Sequence, residues 1–376
     1  MLRTISASKV QPVNTTLKRS IYTNVLKSDI NITKAGKTNI TVGSGGRSSR
    51  TGYTATVFGA SGFLGRYLVS KLARHGTLTV VPYRDDMKKR FLKVCGDLGV
   101  VNFVEFDLRN LKSIEDSVKH SDIVFNCIGA EANTKNFSMA DVNIEGARRV
   151  AQAVKDYGVP RYVHVSSHSA DVNSKSIFYA TKGIGEQVVR EIIPETTIVR
   201  PGVMFGREDK LLNRLGDAKN LFTVNHSKET VIPTHVHDVA KAMELIGFDD
   251  STAGKLYELN GPETFSIHEI RELIKPFSKI DYRNINLPKP VALKIAELLQ
   301  YAWWPLVNPD QIERQFMDQV VTPGTLGFKD LGLTPESLSD HLFTYTYPLR
   351  NYLHSHDLPP TPKQVREMKK YVHILE

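Results

Sequence analysis

The sequence predicts an α/β fold, a doubly wound parallel sheet with a smaller, mostly helical C-terminal part, and three observations carry that expectation. An apolar run breaks into glycines at three-residue spacing in Thr54-Ala-Thr-Val-Phe-Gly-Ala-Ser-Gly-Phe-Leu-Gly-Arg66, just ahead of an amphipathic stretch. Short Val/Ile/Phe/Tyr-rich runs then alternate with helical periodicity as far as residue 199, the trace that parallel strands joined by right-handed crossovers leave in a sequence. Beyond residue 205 the alternation loosens into helical segments.

Taken in order, strands are expected near 55–58, 78–83, 101–106, 122–127, 162–166 and 196–199, each followed by Gly, Ser or Asp. Helices fit between them near 63–75, 87–95, 113–119, 139–157 and 179–191. Further helices are expected near 236–247, 267–275, 289–303 and 309–319, with a strand at 255–260. These bounds give a Rossmann-type domain over 54–205 and a smaller C-terminal part with a partner-binding extension over 206–376. Residues 29–53, rich in Gly, Ser, Thr and Asn, read as an exposed leader.

The formal charge of +9 is concentrated at one end: residues 1–50 carry nine Lys/Arg against Asp29 and leave +1 for the remainder. A nucleic-acid role therefore loses its main support. Residues 1–28 hold no acid, several hydroxyls, and Leu2, Ile5, Val10, Val13, Leu17, Ile21 and Val25 interleaved with basic residues, which is the chemistry of a mitochondrial targeting segment. Arg19-Ser-Ile-Tyr22 is a candidate processing region. Only Cys95 and Cys127 are present, so no disulfide framework is expected, and no run of 18 apolar residues predicts a membrane span.

The glycine turn points to a dinucleotide. Gly59 permits a sharp turn off the strand, Gly62 lets backbone N–H groups approach a pyrophosphate, and Gly65 lets the helix pack closely on the sheet. Ser61, Phe63 and Leu64 complete this candidate phosphate-binding segment at the positive end of the helix. About 20 residues past such a turn, an acid would select NAD and a base NADP. Here the second strand ends Tyr83-Arg84, so NADP(H) is favoured over NAD(H), the competing reading being an arginine paired with Asp85 or Asp86. Asp107-Leu108 closes the third strand as a candidate adenine contact. Cys127-Ile-Gly129 closes the fourth, where small residues let a ribose lie close to the backbone.

Together with Val165-Ser-Ser167, Thr197-Ile-Val-Arg-Pro-Gly202, His237-Asp-Val-Ala240 and Asn260-Gly-Pro262, these pieces resemble the extended or atypical branch of the short-chain dehydrogenase/reductase superfamily over roughly 54–275. Gly45-Gly-Arg-Ser-Ser49, Pro82-Tyr-Arg84, Asn133-Thr-Lys-Asn-Phe137, Lys182-Gly-Ile-Gly-Glu186 and Phe205-Gly-Arg-Glu-Asp209 narrow the match. On these strings the chain is similar to the NADPH-binding accessory subunits of mitochondrial respiratory complex I, NADH:ubiquinone oxidoreductase, of the alpha subcomplex subunit 9 type. The resemblance implies NADPH as cofactor, with Ser166, Ser167, Lys182, Pro201 and Gly202 joining the candidate contacts. It also implies other complex I subunits as partners and a peripheral place on the matrix side of the inner membrane.

A working enzyme of that superfamily needs a Tyr acid/base four residues before the lysine, on one helix face with it. The residue four before Lys182 is Phe178; Tyr179 lies only three before, rotated about 100° around the helix. No catalytic residue is therefore expected. The alternatives are an active NADP-dependent reductase or epimerase using Tyr179 through an altered helix start, and a nucleotide-sensing assembly factor. His235, His237 and Asp238 sit at an expected helix start without a third ligand nearby in sequence, so no metal site is expected. Cys95 and Cys127 read as buried structural thiols. Residues 289–304, an amphipathic stretch ending in Trp303 and Trp304, suit either packing on the fold or a protein or membrane-surface contact, and 359–376 reads as a solvated or partner-bound helix.

Overall fold

A computed structural model of the chain describes residues 49–217, 220–278, 283–299 and 308–349, together with a two-stranded pair, Ile30–Ile32 with Thr38–Ile40, and residues 363, 366 and 367. The expected targeting segment, Tyr301, Trp303, Trp304 and most of the 359–376 tail lie outside the described residues.

Seven parallel strands form the central sheet: β1 (Thr54–Phe58), β2 (Leu78–Tyr83), β3 (Val101–Glu105), β4 (Ile123–Asn126), β5 (Arg161–Val165), β6 (Thr197–Pro201) and β7 (Leu256–Leu259). They run side by side in the order β7-β6-β5-β4-β1-β2-β3, with Thr56 opposite Val124 and Val163 opposite Thr197. The order reverses between β1 and β4, the switch point at which doubly wound sheets open a crevice.

Every residue of β1 and β5 is buried, which requires helices on both faces. Ala55, Val57, Ile123 and Phe125 face α1 (Phe63–Arg74) and α5 (Val236–Phe248). Phe58, Val124 and Tyr162 face α2 (Leu111–Val118), α3 (Gly146–Asp156) and α4 (Ile177–Ile192). The two-residue period of the strands thus sorts one chain into two cores. Along α1, Leu64, Leu68, Val69 and Leu72 present the matching helical stripe.

After β6 the chain builds a second, smaller body. Val203–Phe205 pairs in parallel with Pro233–His235, Asn220–Thr223 with Arg283–Asn286, and Thr230–Val231 antiparallel with Phe265–Ser266. α6 (Ile267–Ser278), α7 (Lys289–Leu299), α8 (Leu338–Thr346) and the short helices 212–217 and 309–314 complete it: α6, α8 and 212–217 pack around Phe205, Leu212, Ile270, Ile274, Leu338 and Leu342, and α7 with 309–314 around Val224, Ala292, Ala296 and Ile312. Among the described residues no helix is long and apolar enough to cross a membrane.

The expected helix at 87–95 is a single α-turn, Asp86–Lys89, followed by a 3-10 segment, Arg90–Val94. It buries only Leu92, so no apolar stripe sustains a longer helix. The expected helix at 139–157 starts as a π turn, Asp141–Glu145. The end of the expected exposed leader is not exposed: Ser49 and Thr51 are buried, and the Thr51 and Thr77 hydroxyls lie 2.9 Å apart. These short side chains find polar partners at the sheet's N-terminal edge instead of water.

Candidate nucleotide-binding site

The crevice is built from backbone before side chains. Gly59 leaves β1 with φ +75°, and a Cβ there would meet Cys127 O, at the end of β4, at 2.8 Å. A Cβ on Gly65 would meet Gly59 O at 2.4 Å, so only glycine lets α1 start this close to the strand. Gly62, exposed, caps α1 with no side-chain hydrogen bond, and the first turn holds no acid. The positive end of the helix is thus left for an anion. Ser61 is half-buried beside it. Phe63 packs edge-on against Tyr67, and Leu64 is in the core, which confines its part at the turn to the backbone.

At the end of β2, Tyr83 lies under the Lys89 ammonium, 3.5 Å from its ring centre. Arg84 is exposed and, among the described residues, forms no ion pair. The two neighbouring acids are engaged elsewhere: Asp85 accepts from Met87 N at 3.0 Å and faces Lys88, while Asp86 holds Lys89 at 2.7 Å and Arg90 at 3.4 Å. The competing arrangement, Arg84 neutralised by its own neighbours, does not form. At the end of β3, Asp107 Oδ1 accepts from Arg109 N at 2.8 Å, and Leu108 is buried with its carbonyl on Arg149 Nη1.

The ends of β4 and β5 are joined by one cation. Lys182, reaching down from α4, donates from Nζ to Ile128 O and Val165 O, both at 3.3 Å. A Cβ on Gly129 would lie 2.9 Å from that Nζ, so the glycine leaves the ammonium its room. Desolvation lowers Lys182 to about 8 and pushes the Cys127 thiol up to about 12. Ser167 is buried beside Ser166, whose buried Oγ has no hydrogen-bond partner among the described residues. At the end of β6, Pro201 O accepts from His168 N at 3.2 Å, and a Cβ on Gly202 would strike Thr234 Oγ1 at 2.6 Å. The predicted positions therefore all line the C-terminal edge of the sheet. Leu64, Leu108 and Pro201 turn their side chains inward.

The residues that would perform proton transfer are arranged differently. Phe178 is buried under the Arg314 guanidinium, 4.8 Å from its ring centre, and packs with Met139, Tyr179 and Met317. Tyr179 is wedged between Phe178 and His168, and burial holds it up at about 12, opposite to the lowering an acid/base tyrosine needs. No hydrogen bond joins its hydroxyl to Lys182 or Ser167 among the described residues. Asp310 clamps this helix start from the C-terminal side, accepting from Ser176 Oγ at 3.0 and 3.1 Å and from Ile177 N at 2.6 Å. Neither Asp310 nor Arg314 was visible as a site residue, because each lies more than 130 positions from its partner in sequence.

His235, His237 and Asp238 do stand at the start of α5, but the reason for excluding a cluster there does not hold. The fold brings Glu336 and His341 to His235, with Glu336 Oε2 at 2.9 Å from His235 Nδ1 and 2.6 Å from His341 Nε2. Cys95 and Cys127 are unbridged and partly buried.

The sequence pattern of the NAD dependent epimerase/dehydratase family matches residues 55–255. The chain is 52% identical over 352 residues to the mitochondrial NADH-ubiquinone oxidoreductase 40 kDa subunit of Neurospora crassa, covering 93% of each chain. It is 39% identical over 308 residues to NADH dehydrogenase [ubiquinone] 1 alpha subcomplex subunit 9 of Dictyostelium discoideum, covering 79% of this chain and 85% of that one. In three dimensions it resembles the dTDP-glucose 4,6-dehydratase DesIV of Streptomyces venezuelae, solved with NAD bound, at a TM-score of 0.60 and 17% identity over 78% of this chain and 95% of that one. The last likeness concerns the fold alone. The chain belongs to the NAD dependent epimerase/dehydratase family and, within it, to the family of the 40 kDa and alpha subcomplex 9 subunits of mitochondrial NADH-ubiquinone oxidoreductase.

Proposed function

We propose that this chain is a noncatalytic accessory subunit of mitochondrial complex I, peripheral on the matrix side of the inner membrane, holding one NADPH as a structural element. The observation that carries the reading is the start of α4: Phe178 stands one turn before Lys182 and is roofed by Arg314, while Tyr179 is packed away from the lysine. A phenyl ring has no proton to give, and Asp310 fixes the helix start that an active rearrangement would have to remodel. The turn at Gly59, Gly62 and Gly65 fits a pyrophosphate, and the exposed Arg84 fits a 2′-phosphate. The Lys182 ammonium between the ends of β4 and β5 and the Ser166 hydroxyl, unpartnered among the described residues, support contacts to the nicotinamide half. Bound nucleotide would stabilise the fold by mass action.

The test is a native gel of gently solubilised mitochondrial membranes, followed by nucleotide analysis of the band. Stable, stoichiometric co-migration with NADH dehydrogenase activity is expected, with NADPH released on denaturation and lost from an Arg84→Ala variant. Migration as a small soluble species with steady NADPH consumption would replace this reading with that of a free reductase. Unchanged NADPH content in Arg84→Ala would remove the role given to that arginine.

A further inference from the structure

We propose that His235, Glu336 and His341 form a structural site for a divalent transition cation of the zinc class, which staples α8 and the loop before it to the strand Pro233–His235. The three side chains come from separate parts of the chain. His235 ends the strand Pro233–His235, Glu336 lies in the loop before α8, and His341 sits in the first half of α8. One ligand atom from each lies within 4.8 Å of the other two.

Several contacts besides the ligand-atom approaches hold this convergence in place. His235 stacks on Phe205 at 5.2 Å and on His341 at 4.4 Å, and those two rings lie 6.3 Å from each other, so the three form one cluster. Its Nε2 lies 2.8 Å from the Tyr345 hydroxyl, one turn beyond His341 on α8. The Glu336 backbone N–H donates to Asp238 Oδ2 at 2.8 Å, tying the loop to α5. A ligating histidine ordinarily donates its second ring N–H to an oxygen, which fixes the tautomer, and Tyr345 is placed to accept it.

The second observation is His235 Nδ1 itself. His235 is only 4% exposed, and this buried atom has no hydrogen-bond partner among the described residues. Glu336 Oε2 is near, at 2.9 Å, but off the line that a ring N–H would need. With Nε2–H given to Tyr345, Nδ1 presents a lone pair to a carboxylate, and a cation between them turns that repulsion into ligation. Two imidazole nitrogens and one carboxylate oxygen are a borderline donor set that suits zinc, at about 2.0–2.2 Å to each ligand. Glu336 Oε2 lies 2.6 Å from His341 Nε2, so it has to retreat slightly, and its half-exposed side chain has room to do so. Three protein ligands leave a fourth position for water or a donor from a neighbouring chain.

The full chain, stripped with a chelator and dialysed against zinc chloride, provides the test. Wild type is expected to retain one zinc that His341→Ala and Glu336→Gln bind at least tenfold more weakly, and zinc is expected to raise the thermal midpoint of wild type alone. Cobalt chloride serves as a spectroscopic probe: visible d–d bands of a low-symmetry site in wild type, absent in both variants, identify nitrogen and oxygen ligation at these residues. Equal zinc content in wild type and both variants, or none retained by wild type, overturns the proposal and leaves a proton-linked His–Glu–His cluster. Glu336 is the exposed member, so Glu336→Gln keeps the comparison decisive should His341→Ala fail to fold.

Discussion

At the scale of single residues, the site is defined as much by what is kept uncompensated as by what is paired. Arg84 owes its availability to Asp85 and Asp86, which direct their charge to a helix cap and to Lys88, Lys89 and Arg90. Glu229 gives a sharper case in the C-terminal body: desolvation, only partly offset by Arg214, raises its carboxyl from 4.5 to about 7. The folded state then binds more protons than the unfolded chain between pH 4.5 and 7, so stability contributed by this group is present below 4.5 and lost as pH rises toward 7. Glu229→Gln cannot ionise. It is expected to raise the thermal midpoint at pH 8, by roughly 1–2 kcal/mol of stability after allowance for its partial exposure, with the gain fading toward pH 5. Equal shifts at both pH values, followed by circular dichroism, would assign the effect to packing instead of charge. The place of Arg84 just past the end of β2 was legible in the sequence because one strand end sufficed to fix it. Glu229 was not, since its environment comes from elements distant in the chain.

At the scale of elements, the turn between β1 and α1 fixes how close the helix starts to its strand and, on the proposed function, to the nucleotide. A methyl group on Gly65 must displace either the helix or the Gly59 carbonyl, which would otherwise lie 2.4 Å away. Gly65→Ala is expected to cut retained NADPH at least tenfold while lowering stability by about 1–3 kcal/mol, read by nucleotide content and denaturant titration of the same sample. Full nucleotide content in that variant would show that α1 approaches the phosphates less closely than this geometry requires. Six strands of the sheet were legible because short runs of β-branched and aromatic residues closed by turn residues, such as Tyr162-Val-His-Val165 before Ser166, leave few other structures open. The seventh, expected as a strand at 255–260 but in the C-terminal part, instead pairs with β6 in the central sheet, a long-range pairing that no local pattern shows. The observed β5 over Arg161–Val165 matches the expected 162–166 within a residue. The two-to-four-residue strands of the C-terminal body are too short to show a period, and α8 escaped notice altogether.

At the scale of the whole molecule, one of the contacts between the two bodies stands beside the crevice. Asp310 ties the short helix 309–314 to the first turn of α4, the helix that also carries Lys182 into the crevice. Asp310→Ala leaves Ser176 Oγ and the Ile177 N–H without their acceptor. It is expected to cost about 1–3 kcal/mol and to open the C-terminal segment to limited proteolysis before the sheet domain is cut. A cleavage pattern identical to wild type would show that other contacts hold the segment.

The packing of α1 against α5 carries a consequence for the order in which the molecule can be made. α1 is complete at Arg74, yet the helix that covers its apolar stripe, Val236–Phe248, is delivered much later, and with it comes Glu244, fully buried and 2.6 Å from His75 at the end of α1. One face of the nascent sheet therefore stays greasy until about two-thirds of the chain has emerged, and long-range closures of this kind are slow and exposed to aggregation. A chain presented N-terminus first is expected to need that face shielded for the interval before α5 closes over it.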